Sequence, residues 1–291
     1  MSKIKIATIQ SRVLRNKYDN ISHMAELVGS IFGATSETAT FSGADIPAAG
    51  CGGEETGRPD IIVLPEMWNC PYKAKLFPVF AEPEQDDSWI AMSTMARKNH
   101  VYVVGGSIPE LDNGKVYNTC YVFNRDGEQI AKHRKVHLFD VNFGEKPFHE
   151  SDTLTGGDSF DVFETEWGKM AVNICFDVRF PEGMRKQAVN GAKVVFVPAA
   201  FMMKTGAAHW DMNMRMRAVE NQLFLVADAP MRDTAIGYES WAHSMVINPW
   251  GTVLTDMGID EGIAITEIDL DMIDKVRAEL PLMSARRTDV Y

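Results

Sequence analysis

An α/β fold whose layers mix parallel and antiparallel strands is predicted for this 291-residue chain by three observations. Short runs rich in Val and Ile recur along it. Segments of helical spacing separate several of these runs. Two turn signals, Asn124-Arg125-Asp126-Gly127 and Asn248-Pro249-Trp250-Gly251, mark hairpins within the alternation.

The runs, in order, are KIKIATI, DIIVLPE, VYVVGGSI, NTCYVFN, KMAVNIC, KVVFVPA, QLFLVADA, HSMVINP and GIAITEIDL, each short, apolar and strand-like. Helices are predicted over Asn20–Phe32, Asp86–Asn99, Pro181–Asn190, His209–Glu220 and Asp271–Leu280. Pro181 in a first turn and Gly191 just past a last one frame the third of these. Residues 33–58, GATSETATFSGADIPAAGCGGEETGR, carry almost no large apolar side chains and are expected to form a surface-loop insertion in one domain spanning 1–291.

Composition narrows the function. With 45% hydrophobic residues the chain can build a sizeable core, and 40 acidic against 29 basic residues give a net charge of −11. That charge repels phosphate backbones and anionic lipid, so neither nucleic acid nor a membrane is an expected partner. The basic run Lys132-His133-Arg134-Lys135 is too short to reverse the balance. No apolar signal region precedes the first strand, and no run approaches the roughly 20 apolar residues of a membrane span, so a cytoplasmic protein is expected. Cys51, Cys70, Cys120 and Cys175 form no CxxC pair, which speaks against a zinc knuckle or a redox dithiol.

Cys175 ends KMAVNIC shortly before the helix at Pro181, the strand-to-helix turn where open-sheet proteins place reactive groups. A buried, inert cysteine would look the same from the sequence. A nucleophilic thiol needs a base and donors for the oxyanion formed on attack. Glu66 follows the very apolar run DIIVL and so sits at another strand's C-terminal end; as a solvated turn residue it would mean nothing. Lys135, flanked by Val136 and Leu138, stands in an apolar setting unusual for lysine, although a stem snorkelling along the core would match. His137, His209 and His243 are competing bases for a Cys-His-Asp hydrolase. His133 and His137 would be a metal pair only on a helix, and their segment reads as extended, so no metal is expected. Spacing leaves these constellations open.

LPEMW around Glu66, KHRKVHLFD around Lys135 and NICFDVRFPE around Cys175, in that order, resemble the three motif regions of the nitrilase superfamily of carbon–nitrogen hydrolases. The similarity runs from KIATIQ to LPLMSARRTDVY, and GGSIPE, YNTCYVFNRDGE, FHESDTL, AHW, RAVENQ and AHSMVINPWG make it strongest to the ω-amidase branch. The resemblance implies a four-layer αββα sandwich with two mixed sheets face to face, and a homodimer or larger assembly. It implies catalytic residues at Glu66, Lys135 and Cys175, with a second glutamate at Glu150. In that scheme Glu66 takes the thiol proton, Lys135 and a backbone N–H at Phe176 hold the oxyanion, and Glu150 orients Lys135. A fixed lysine charge stabilises an oxyanion without acting as a base near neutral pH. No cofactor is called for.

The implied substrate is a small ω-amide, such as the dicarboxylate monoamide α-ketoglutaramate. Its distal carboxylate needs a cation, and Arg179 is the nearest candidate, unless it pairs with Asp177 or Glu182. Arg215, Arg217 and Glu220 are expected to form a salt-bridge network on one helix. The rivals are a deaminated-glutathione amidase, an N-carbamoyl amidase and, outside enzymes, a silent assembly protein. A true nitrilase fits less well, since C-F-D follows here where C-W-E is usual. The chain also departs from its relatives' pattern at Phe176, where tyrosine is common, at Met202, where asparagine is usual, and at Ala207, where proline is.

Overall fold

A computed structural model describes residues 2–33, 57–143 and 146–290, Lys146 by its backbone alone. The predicted insertion at 33–58 therefore lies almost wholly outside the described residues.

Two sheets carry the architecture. In the first, β1 (Lys3–Gln10) lies between β15 (Gly262–Asp269), antiparallel, and β2 (Ile61–Val63), parallel. Next come β3 (Tyr102–Val104), parallel to β2, and the long β5 (Lys115–Phe123), antiparallel to β3. Strands β4 (Ile108–Asp112) and β6 (Gln129–Arg134) both pair with β5, the latter through the hairpin predicted at Asn124–Gly127. The second sheet runs β14 (Val253–Asp256), β13 (Met245–Ile247), β12 (Phe224–Asp228), β11 (Val194–Pro198), β10 (Gly168–Val172), β9 (Val162–Thr165). Its centre, β10-β11-β12, is parallel and its edges antiparallel. A separate hairpin, β7 (Asp140–Phe143) and β8 (Lys146–His149), was not anticipated, because DVNF and KPFH lack the apolar signature of a buried strand.

Strand alternation explains the layering. Ile4, Ile6, Ile61, Val63, Cys120 and Val122 point into one core with Met170, Val172, Val194 and Phe196 of the second sheet. Their neighbours Ala7, Ile9, Ile62, Leu64, Tyr121 and Phe123 point the other way, onto Met24, Leu27 and Val28 of α1 (Lys17–Ile31) and Met92, Met95 and Ala96 of α3 (Asp87–Asn99). Between them in sequence lies one short turn of helix, α2 (Phe77–Phe80). On the other sheet, α5 (Met203–Asn221) packs on β12 and β13 and against α4 (Pro181–Val189). The result is the expected αββα order, with α6 (Asp271–Glu279) following β15. No helix among the described residues is long and apolar enough to cross a membrane.

The helix at His209–Glu220 in fact begins six residues earlier, at Met203. Thr205 and Gly206 donate their N–H groups to the Met202 carbonyl, and Ala207 supplies an N–H where a proline would break the ladder. Of the expected helical salt-bridge network, Arg217 does pair with Glu220 at 2.8 Å. Arg215 instead reaches Asp211 and the carbonyl of Gly251.

Candidate active site

Four of the residues singled out by sequence meet at the C-terminal ends of strands. Glu66 follows β2 through Leu64 and Pro65, and β3 leaves so close to that turn that a Cβ on Gly106 would lie 2.1 Å from the Pro65 carbonyl oxygen. Lys135 follows β6, its N–H bonded to the Asn118 carbonyl at 2.8 Å. Glu150 follows β8, and Cys175 opens a tight turn just after β10. Cys175 adopts φ +47°, a left-handed conformation that non-glycine residues seldom take, and it lifts the side chain out of the strand direction.

The Lys135 ammonium lies 2.9 Å from Oε1 of Glu66 and 2.9 Å from Oε1 of Glu150. All three side chains are fully buried, and Cys175 is 4% exposed. Glu66 also accepts from the Asn118 amide at 2.8 Å on Oε1 and from the Ala200 N–H at 2.8 Å on Oε2. Glu150 accepts from the Tyr72 hydroxyl at 2.7 Å and the Phe139 N–H at 2.7 Å. Each carboxylate is thus fixed by three close donors, from three segments for Glu66 and two for Glu150, which removes rotamer freedom before any ligand arrives.

Electrostatics sort the protons. Burial opposes the charge of Lys135, but Glu150 and Glu66 more than offset it and hold the ammonium well above the ordinary lysine range. Burial lifts the Glu66 carboxyl above the usual glutamic range, with Lys135 pulling it back. Burial, then the charge of Glu66, pushes the Cys175 thiol well up, so its resting sulfur keeps the proton. A thiol, a carboxylate of raised basicity and a fixed cation in one dry site can generate a thiolate on demand and collect negative charge beside it.

The other candidates are placed elsewhere. His133 and His137 do not form a metal pair; their rings bond Asp177 at 3.2 and 2.9 Å. His209 bonds Arg179, and His243 bonds Asp256 at 3.0 Å while stacking on Trp241. None of the competing histidine bases hydrogen-bonds Cys175. Arg179 pairs with neither Asp177 nor Glu182; it lies over the rings of Phe201 and Phe176, 4.7 and 5.8 Å from their centroids. The Phe176 ring packs edge-on against Phe139 and Phe180.

Sequence reasoning missed Tyr72, Asn118, Asp177 and the Ala200 N–H. Tyr72 stacks on Phe148 and touches Tyr238, whose hydroxyl donates to the Ala200 carbonyl. Asp177 is fully buried and accepts from Ile174 N–H at 3.1 Å, His137 N–H at 2.8 Å and Val136 N–H at 3.4 Å. It therefore ties the residue before Cys175 to the residues after Lys135. Its position in C-F-D was visible, but nothing in the sequence said which partners it would find.

A layered α/β fold with a buried thiol, carboxylate and ammonium at its strand ends defines a hydrolase class of protein. The chain belongs to the carbon–nitrogen hydrolase family, whose model matches residues 5–278. It is 40% identical to omega-amidase NIT2 of Danio rerio over 292 aligned residues, which cover 100% of this chain and 97% of that protein. The figure for omega-amidase NIT2 of Homo sapiens is 39%, covering 100% and 98%. Among solved structures, that of Saccharomyces cerevisiae Nit3, a member of branch 10 of the nitrilase superfamily, matches with a TM-score of 0.84 at 34% identity, covering 98% of this chain and 97% of that one.

Proposed function

We propose that the protein is an ω-amidase that hydrolyses a short dicarboxylate monoamide to the acid and ammonia, with Cys175 as nucleophile. The observation that carries the mechanism is the buried Glu66 carboxylate, 2.9 Å from the Lys135 ammonium and close enough to Cys175 for its charge to raise the thiol. The substrate class rests on the likeness to omega-amidases along the whole chain.

Glu66 takes the proton from Cys175 as sulfur attacks the amide carbonyl. Charge moves onto the carbonyl oxygen, where the Lys135 ammonium and the Phe176 N–H hold it. Collapse expels the amine, and Glu66 returns the proton to it as ammonia leaves. A thioester on Cys175 remains. Glu66 then deprotonates water, which attacks the thioester, and the thiol is restored with release of the acid. Glu150 keeps Lys135 aimed at the oxyanion throughout, and Arg179 receives the distal carboxylate. We extend the proposal to a cytoplasmic homodimer, to be checked by fractionation and light scattering.

The test is ammonia release from α-ketoglutaramate, succinamate, glutamine, deaminated glutathione and an N-carbamoyl amine, by wild type and Cys175→Ala. Turnover of the short ω-amides that vanishes in Cys175→Ala is the expected result. Turnover confined to deaminated glutathione or the carbamoyl compound would keep the chemistry and move the substrate. No ammonia from any of them would overturn the reading in favour of a silent assembly protein.

A further inference from the structure

Arg179 is a half-buried guanidinium that meets no carboxylate among the described residues. Burial pulls its pKa below the ordinary arginine range, and only the charge of Cys175 works the other way. Two aromatic faces, Phe201 and Phe176, flank it. Among the described residues, the side chain that hydrogen-bonds it is His209, whose Nδ1 lies 3.1 Å from Nη1. A guanidinium can only donate, so in this contact the ring nitrogen is the acceptor.

The contact does more than fill space. An arginine grips a carboxylate bidentately through either of two edges. With its Nη1 occupied by His209, the free edge is the one formed by Nε and Nη2. The backbone is held as well: Arg217, two turns along α5 from His209, donates from Nε to the Val178 carbonyl at 2.7 Å and from Nη2 to the Arg179 carbonyl at 3.1 Å. One helix thereby fixes both the main chain and the head group of Arg179. Arg15 and Lys73 line a cavity of about 510 Å³ with Leu76 and Phe80. Neither Glu66 nor Cys175 borders that cavity.

We propose that His209 is a positioning residue that aims the open edge of Arg179 at the distal carboxylate of the substrate, and so sets the preference for ω-amides that carry that charge. The inference rests on the reading of Arg179 as the carboxylate site. Without the imidazole acceptor the guanidinium swings freely between its flanking rings, and a substrate must order it on binding. The cost falls on binding of charged substrates, and a neutral isostere escapes it.

Succinamate and succinamide differ only in whether the distal group is a carboxylate or an amide, so their comparison isolates the effect. We expect His209→Ala to lower the ratio of kcat/KM for succinamate over succinamide by roughly tenfold, through KM rather than kcat. His209→Asn, which keeps a side-chain acceptor, is expected to restore most of the ratio. If succinamide is not turned over, its Ki against succinamate takes the place of its KM. Equal weakening of both compounds, or an unchanged ratio, overturns the role of His209. Arg179→Met separates the two levels. If it leaves the ratio unchanged, the Arg179 reading itself fails and His209 falls with it. If it collapses the ratio while His209→Ala does not, only the positioning role is lost.

Discussion

Each sheet ends a strand in a fully buried carboxylate, Glu66 just past β2 and Asp228 at the end of β12, and the two are held in different ways. Glu66 faces the Lys135 ammonium at 2.9 Å and three further donors. Asp228 meets only neutral donors among the described residues: the Ser244 hydroxyl at 2.9 Å and the Ile9 N–H at 3.3 Å. Burial raises the pKa of both, and in Asp228, with no cation to oppose it, the value reaches about 8. The difference teaches what Lys135 is for. A buried carboxyl left with neutral partners keeps its proton near neutral pH and serves as a structural donor and acceptor, whereas one beside an ammonium can be both buried and available as a base.

Removing the cation should make the first carboxylate behave like the second. Lys135→Met keeps the stem and deletes the charge, so Glu66, already lifted by burial and by the charge of Glu150, is left uncompensated and takes up a proton. On the proposed mechanism the base and the oxyanion's partner go together, and kcat/KM for succinamate should fall by on the order of 10³ or more. Ammonia release alongside far-UV circular dichroism checks this. A folded variant that keeps a tenth of its activity would break the comparison.

A third buried carboxylate sharpens it. Burial disfavours the charge of Asp177, but hydrogen bonds from His133 and His137 more than offset it and carry its pKa well below the usual aspartic range. Because the folded value is depressed, its stabilisation is present above the ordinary carboxyl pKa near 3.8 and is lost as pH falls through the folded value. Asp177→Asn turns an acceptor of five donors into a group with donors of its own, at a cost of about 3–5 kcal/mol in urea unfolding at pH 7. A cost below about 1 kcal/mol would mean that the turn holding Cys175 stands without the clamp.

Asp228 yields the converse pH dependence. Its folded pKa is raised from 3.8 to about 8, so the stabilisation it contributes is complete below about pH 4 and drains away as pH rises through about 8. Between those limits wild type should lose about 1.4 kcal/mol of stability per pH unit relative to Asp228→Asn, which has no proton to lose. Urea midpoints of both proteins at pH 5, 6, 7 and 8 measure the slope. Parallel profiles would show that Asp228 is ionised in the folded protein after all.

What was legible in the sequence follows the same division. Glu66 and Cys175 each follow an apolar strand, where a charged or nucleophilic side chain is locally conspicuous; Lys135 follows the polar β6 and stood out only by its neighbours Val136 and Leu138, which a snorkelling stem would match equally. The face-to-face sheets were implied by family resemblance and agree with the alternation of Ile4, Ile6, Ile61 and Val63 against Ala7, Ile9, Ile62 and Leu64. Partners were not legible. Tyr72 reaches Glu150 across 78 residues, and Asp228 reaches Ile9 across 219, through packing that no local pattern encodes. Arg179 was read either as a cation for the substrate's carboxylate or as a partner of its neighbours Asp177 and Glu182. In the turn beginning at Cys175, Asp177 is turned inward to His133 and His137 and Arg179 meets His209 of α5.

The smallest expected effect tests how much redundancy surrounds the ammonium. Tyr72→Phe keeps the ring that stacks on Phe148 at 5.6 Å and contacts Tyr238 at 4.6 Å, and removes only the hydroxyl bonded to Glu150. Glu150 retains Lys135 on the same oxygen and the Phe139 N–H on the other, so it stays oriented. The loss should be that of one hydrogen bond, about 1 kcal/mol, or roughly a fivefold drop in kcat with little change in KM. If the drop instead matches that of Lys135→Met, the phenol must do more than steady Glu150. Its oxygen lies 3.4 Å from Lys135 and 3.5 Å from Glu66, close enough to take part in the proton's movement. In that case the cation would no longer be the sole difference between the carboxylate that works and the one that only holds the sheets together.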